Sequence, residues 1–268
     1  MTTTESGAGG GIARKAAVFD RFARYYDGDY RNYDDDIDLI IALAGECGAP
    51  ILELGCGTGR VMLALVHAGF VTTGVDISPK LLELARAKLE STPATLYDFI
   101  EAELTSFDLP HKNYGLAVCT SNTLMHLNTA EEQQAMLANA YRHLAPGGCL
   151  FIDLFNPDVA RLVAVDNLVE LADEWEDAAR RVHVTKWSVR AVDFANQLQD
   201  TLFIYEETGD DAVVRKTVCP FTLRFLWRNE AELMLRQCGF AIEEVWGHFD
   251  GEPYSAVSDR LILLARKA

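Results

Sequence analysis

Ile51-Leu52-Glu53-Leu54-Gly55-Cys56-Gly57-Thr58-Gly59-Arg60 decides how this chain is read. An apolar strand pattern runs into three glycines at alternate positions, Gly55, Gly57 and Gly59, with Glu53 two residues before the first. Glycine lacks the Cβ that would hold a ligand away from the main chain, so this is a turn in which backbone touches ligand. A helical pattern follows at Val61, Leu63, Ala64 and Leu65 and stops at Gly69, and a second strand, Phe70 to Val75, ends in Asp76. Asp76 lies about 20 residues past Gly55, the separation at which a carboxylate reaches ribose hydroxyls in strand–helix–strand nucleotide sites.

Working outward, the alternation of strand and helix continues. Ser78 and Pro79 make a helix start, a side-chain cap followed by proline at the first helical position. Strands are expected at Leu96 to Glu101 and Leu116 to Cys119, and Thr129 with Glu132 forms a capping box for a helix ending at Ala145-Pro146-Gly147-Gly148. Cys149 to Phe155 is an apolar run interrupted by Asp153, as in a parallel sheet covered on both faces. Three longer strands then follow, Val182 to Val192, Leu198 to Glu207 and Val213 to Trp227, before a helix at Glu230 to Cys238 and two final strands. Upstream, Val18 to Leu43 reads as two helices separated by an aromatic segment containing Tyr30 and Tyr33.

The expected fold class is therefore α/β: a doubly wound, mostly parallel, seven-stranded Rossmann-like sheet with an inserted antiparallel β-meander. The expected divisions are an unstructured N-terminus over 1–17, a helical lid over 18–49 and an α/β core over 50–157. The meander takes 158–228, and the core's last helix and strands take 229–268.

Glu-Leu-Gly-Cys-Gly-Thr-Gly resembles the first signature of the class I methyltransferases that use S-adenosylmethionine. The dinucleotide fingerprint sets its last two glycines wider apart to seat a pyrophosphate at a helix start, and S-adenosylmethionine has no phosphate to seat. The resemblance implies that Glu53, Gly55, Cys56, Gly57 and Gly59 approach the cofactor and that Asp76 accepts from both ribose hydroxyls. It places Glu103, with Glu101 as a rival, near the adenine amino group, and lets Ile77 and Leu104 sandwich the ring. Cys119 would offer its backbone to the cofactor or serve as a buried core thiol.

Ser121-Asn122-Thr123-Leu124-Met125-His126-Leu127 is similar to the loop of small-molecule methyltransferases, including the amino-sugar N-methyltransferases, in which a histidine faces the acceptor. His126 is thus the candidate base for an amine or hydroxyl proton, against a packing role. Tyr25-Tyr26-Asp27 and Tyr33-Asp34 look like the lid of the same branch, which makes Tyr26 and Tyr33 candidates, against an aromatic face packed on the core. Trp246 to Tyr254 also resembles this branch, whereas Tyr114-Gly115 departs from the aromatic-Asp pair that often opens the fourth strand.

A net charge of −16 without a basic stripe argues against nucleic acid as substrate. No apolar run reaches the roughly 20 residues that span a bilayer, and the N-terminus lacks a secretory pattern. The six cysteines have no paired spacing, so no metal site is expected and a reducing cytoplasm is the expected compartment. The expected function is methyl transfer to nitrogen or oxygen of a small molecule. The rival readings are RNA or protein methylation and a non-catalytic cofactor-binding module. Oligomeric state is left open.

Overall fold

The computed structural model describes residues 8–268. In chain order the elements are α1 (Ala8–Asp29), α2 (Ile37–Cys47), β1 (Ile51–Leu54), α3 (Arg60–His67), β2 (Thr72–Asp76), α4 (Pro79–Lys88), β3 (Tyr97–Glu101) and β4 (Tyr114–Cys119). A 3-10 turn (Thr123–His126) leads to α5 (Ala130–His143), β5 (Leu144–Phe155) and α6 (Val159–Val165). Then come β6 (Val169–Asp177), β7 (Val182–Asp193), β8 (Leu198–Thr208), β9 (Val214–Arg224), α7 (Arg228–Gln237), β10 (Phe240–Trp246) and β11 (Arg260–Lys267).

Seven strands form one sheet in the order β10-β11-β5-β4-β1-β2-β3, parallel except that β11 runs against both neighbours. The order reverses beside β1, so the carboxyl ends of β1 and β4 open onto the crevice where doubly wound sheets take ligands. Every residue of β1 and β4 is buried, because helices cover both faces. Leu52, Leu54, Ala117 and Ile152 face a cluster under α5 and α7, while Ile51, Val61, Leu65, Leu116 and Phe151 face one under α2 and α3. The caps match the sequence expectation: Ser78 Oγ accepts from Leu81 N at 3.2 Å, and Thr129 Oγ1 from Glu132 N at 3.1 Å.

The meander differs in one strand. It is a separate four-stranded antiparallel sheet, β6-β7-β8-β9, in which β6 is an edge strand absent from the sequence reading. Its sequence, Val-Glu-Leu-Ala-Asp-Glu-Trp-Glu-Asp, is acidic and loses its period-2 pattern at a bulge between Leu171 and Asp173. Charge on an edge strand deters pairing with other chains and also hides the strand from pattern reading. Helix α6 is likewise new. Helix α1 starts at Ala8, where the sequence reading has an unstructured segment to residue 17; the expectation for 1–7 lies outside the described residues. β5 begins at Leu144, immediately after α5, and takes in the Pro146-Gly147-Gly148 stretch read as a helix stop.

Tyr114-Gly115, the departure noted in the sequence, has a packing cause. A Cβ on Gly115 would sit 2.1 Å from the Gly48 carbonyl oxygen and 2.6 Å from that of Cys47. The end of α2 crosses the start of β4 too closely for any side chain there.

Candidate active site

A cavity of about 860 Å³ runs from the carboxyl ends of β1 and β2 to the inner face of the four-stranded sheet. At its first end the wall is bare main chain at Gly55 and Gly57, both with positive φ (+76° and +53°) that L side chains rarely adopt. A Cβ on Gly55 would also lie 2.4 Å from Thr123 Cγ2. Asp76 stands beside them, 7 % exposed, accepting from Gly57 N on Oδ2 and from Ser78 N on Oδ1, each at 2.8 Å. Burial raises its carboxyl pKa, while the amides of Ser78, Gly57 and Ile77 hold it down. Each oxygen keeps a further lone pair for a ligand donor. Ile77, Glu103 and Leu104 continue the wall, whereas Glu101 is exposed and outside it.

Lys15, from the covering helix α1, lies across this end, 2.8 Å from Glu132 and 3.4 Å from Glu103. Farther along α1, Tyr26 stacks on Tyr30 with centroids 4.8 Å apart, and its hydroxyl would be 3.2 Å from a Cβ on Gly57. Tyr26 and Tyr30 line the cavity; Tyr33 does not. Tyr33 instead carries the Arg60 guanidinium 4.9 Å from its ring centre and packs against Phe249, and Arg60 is gripped by both oxygens of the buried Asp36 at 2.6 Å. Tyr30 is therefore the lid tyrosine whose place in the cavity the sequence reading missed: only the path of the chain at the end of α1 shows which two of the four nearby tyrosines point inward.

Four further residues singled out in the sequence stand behind the wall. Glu53 is 3 % exposed beneath the glycine turn; burial pushes its carboxyl up to about 8, and its Oε2 has no hydrogen-bond partner. Cys56 and Cys119 are buried thiols whose pKa values burial raises, that of Cys119 to about 12. Gly59 is the left-handed N-cap of α3, packed on Ala85. The Trp246 to Tyr254 stretch is structural, with Tyr254 donating to Asn156 Oδ1 at 2.8 Å.

His126 closes the 3-10 turn and lines the middle of the cavity. Its ring meets Phe19 edge-on at 5.1 Å and Phe221 at 5.5 Å. Burial alone pushes its pKa down to about 4, so the imidazole is neutral at physiological pH. Just before it, Ser121 and Asn122 both hold positive φ (54° and 65°), fixed by Asp153 Oδ2 accepting from Ser121 N at 3.0 Å and Asn122 Oδ1 from Phe155 N. Backbone strain of this kind concentrates where a loop must aim groups at a ligand. Beyond His126 the walls are Phe22, Leu202, Phe203 and Phe221, with Asp29 and Lys186 paired at 2.8 Å. Among the described residues no cluster of metal-ligating side chains forms.

A doubly wound sheet with this glycine turn, a carboxylate after β2 and a covering helical lid defines the class of cofactor-dependent transferases to which the comparisons point. Residues 51–148 match the family described as a methyltransferase domain. Over 225 residues the chain is 31 % identical to the cypemycin N-terminal methyltransferase of a Streptomyces species, covering 82 % of this chain and 84 % of that one. It superposes on the CcbJ methyltransferase from Streptomyces caelestis with a TM-score of 0.81 and 25 % identity, over 95 % of this chain and 99 % of that one. An amino pentose methyltransferase from Micromonospora echinaspora, solved with S-adenosylmethionine bound, shares the fold at a TM-score of 0.68 and 18 % identity, covering the whole of both chains. The chain belongs to the S-adenosylmethionine-dependent methyltransferases, and its cofactor is S-adenosylmethionine. The site fits that cofactor: bare backbone at Gly55 and Gly57, an acceptor-only carboxylate at Asp76, and apolar flanks at Ile77 and Leu104. As an enzyme of this family it is not the non-catalytic module considered from sequence.

Proposed function

We propose that this enzyme methylates a nitrogen of a small-molecule amine. Bound S-adenosylmethionine supplies a methyl group activated on a sulfonium. Asp76 would accept from the ribose hydroxyls, Glu103 would take the adenine amino group between Ile77 and Leu104, and Tyr26 would cover the cofactor over Gly57. Glu53, Cys56, Gly59 and Cys119 act from behind, shaping the turn and the strand ends, and Tyr33 holds Arg60 and the lid hinge.

The observation that carries nitrogen over oxygen is the state of His126. Its ring packs between Phe19 and Phe221, and among the described residues no carboxylate pairs with it as a general base drawing a proton from an alkyl hydroxyl would need; burial lowers its basicity further. An amine attacks through the lone pair of its unprotonated form, its ammonium proton having gone to solvent before binding, and the N-methylammonium formed as the carbon–sulfur bond breaks can leave with its proton, so transfer itself needs no strong base. His126 then orients the amine through a ring nitrogen, while the aromatic walls exclude water and hold the acceptor in line with the methyl group. The name of the Streptomyces relative supports nitrogen. A peptide's terminal amine is the variant of this reading that the relative favours. The largely apolar cavity and the charge of −16 support a small acceptor over nucleic acid.

Transfer of labelled methyl from S-adenosylmethionine into a fractionated extract tests this. Label is expected in the small-molecule fraction, on nitrogen; label on RNA, on internal protein residues or on oxygen would refute it. His126→Ala should lower turnover about ten- to a hundredfold, the cost of losing an orienting contact, with calorimetric affinity for the cofactor unchanged.

A further inference from the structure

Beside the cofactor cavity lies a second one of about 470 Å³. Tyr30, Ser121, His126, Phe203 and Phe221, with Arg190 and Thr201, belong to the walls of both, so the two spaces adjoin around the imidazole. An acceptor whose nitrogen is held at His126 can therefore extend its remaining atoms into the second cavity. That cavity is the more polar of the two: Arg161, Glu170, Gln199 and Arg260 stand in its wall alone, and Arg190 and Thr201 are shared with the first.

The three guanidinium groups are not equivalent. Arg190 is hydrogen-bonded to Glu170, and Arg260 grips the buried Asp153 through Nε and Nη2. Arg161, carried by α6, has neither a hydrogen bond from its guanidinium nor a carboxylate within ion-pair distance among the described residues. Its guanidinium lies 5.7 Å from the Phe155 ring centre. Asp259 and Asp158 attract it from farther off, the carboxylate of Asp158 already accepting from the Ala160 and Arg161 amides; Arg190 and Arg260 repel it. Arg161 stands on the exposed rim, so its donors are free rather than stranded.

We propose that the second cavity is the subsite for a carboxylate on the methyl acceptor, with Arg161 as the residue that binds it. The assignment rests on the methyltransferase reading above and names the acceptor class: an amine carrying a carboxylate. Two ion pairs in the cavity leave one guanidinium over, which matches a monoanion; a phosphate monoester brings up to two charges. A planar guanidinium also fits the two oxygens of a carboxylate in parallel. In a chain of net charge −16 an anion approaches against the overall field, so a local cation is needed to hold it.

The test uses the full chain with S-adenosylmethionine, whose binding is checked by calorimetry. Phenylglyoxal modification of arginines is mapped by peptide mass spectrometry with 6-aminohexanoate, its amide or aminoethyl phosphate as protecting probe. Arg161 should be the most reactive of the three arginines, and the amino carboxylate, not the amide, should slow its modification about tenfold, the effect of one charge-assisted contact. Saturation-transfer NMR should detect 6-aminohexanoate on the wild type and lose it on Arg161→Gln, with cofactor affinity unchanged. Equal protection by acid and amide, in protein that binds the cofactor, overturns the subsite and leaves the methyltransferase reading standing. Stronger protection by the phosphate overturns the carboxylate assignment, and failure to bind S-adenosylmethionine at all overturns the reading beneath both.

Discussion

Asp76 shows how much one residue is asked to do. Its two oxygens accept from the Gly57 and Ser78 amides, so it holds the glycine turn and the start of α4 together while facing the cofactor cavity. In Asp76→Asn one position would confront an amide donor with another donor. Affinity for S-adenosylmethionine, read by calorimetry, should fall about ten- to a hundredfold. Gly115 is the opposite case, a residue with no chemistry. Gly115→Ala would drive a methyl group into main-chain oxygen, which no rotamer can relieve, and denaturant unfolding should report a loss of about 2–3 kcal/mol. The sequence showed Gly115 as a departure from a family pattern, but its cause lies in the Gly48 carbonyl, 67 positions earlier in the chain.

Among elements, α1 is fastened to both of its neighbours. Toward the four-stranded sheet it makes buried contacts: Tyr25 stacks on Tyr205 at 4.0 Å, and Asp29 Oδ2 accepts from Tyr205 at 2.7 Å and from Lys186 at 2.8 Å. Toward the core Asp20 accepts from the buried Ser78 hydroxyl and Asp27 from the buried Thr58 hydroxyl, each at 2.7 Å, beside the more exposed pairs of Lys15 with Glu132 and Lys88 with Asp27, of a kind worth little individually. Helix α1 thus bridges the core and the four-stranded sheet through buried contacts to both. Tyr205→Phe keeps the ring stack and removes one donor from a buried carboxylate whose Oδ1 already lacks a partner. It should cost about 1–2 kcal/mol by urea unfolding. Strand β6 and helix α6 were not legible in the sequence, because an acidic edge strand and a seven-residue helix carry too little periodicity.

For the whole molecule, buried ionisable groups set the pH range of stability. His126 falls from 6.5 to about 4 on folding, so the unfolded chain binds the extra proton and stability is lost as pH drops from about 6.5 toward 4. Glu53 rises from 4.5 to about 8, so the folded chain holds the proton and stability is lost as pH climbs from about 4.5 through 8. Burial raises Asp29, Asp76 and Asp153 in the same direction as Glu53. Between about pH 4.5 and 6.5 the His126 and Glu53 trends offset each other and the buried aspartates tip the sum downward, so the denaturation midpoint should peak at about pH 4.5 and decline on both sides. In Glu53→Gln the alkaline decline should shrink by about 2 kcal/mol between pH 6 and pH 9, while the acid decline stays. An unchanged alkaline limb would show that Glu53 ionises freely in the folded protein.

The chain's own residues determined the sheet, its cofactor turn and the loop that presents His126, because these are local patterns: apolar strands ending in glycine, a carboxylate one strand later, caps at each helix. Eight of the residues picked from sequence do line the cavity: Tyr26, Gly55, Gly57, Asp76, Ile77, Glu103, Leu104 and His126. Only the tertiary structure decided that Tyr30 rather than Tyr33 faces inward, that His126 is a neutral imidazole among phenylalanines, and that Arg161 is left without a carboxylate beside two arginines that have one. Each of these depends on which distant elements pack against the group. Burial and charge pairing are properties of a neighbourhood assembled from across the chain, and no local spacing encodes them.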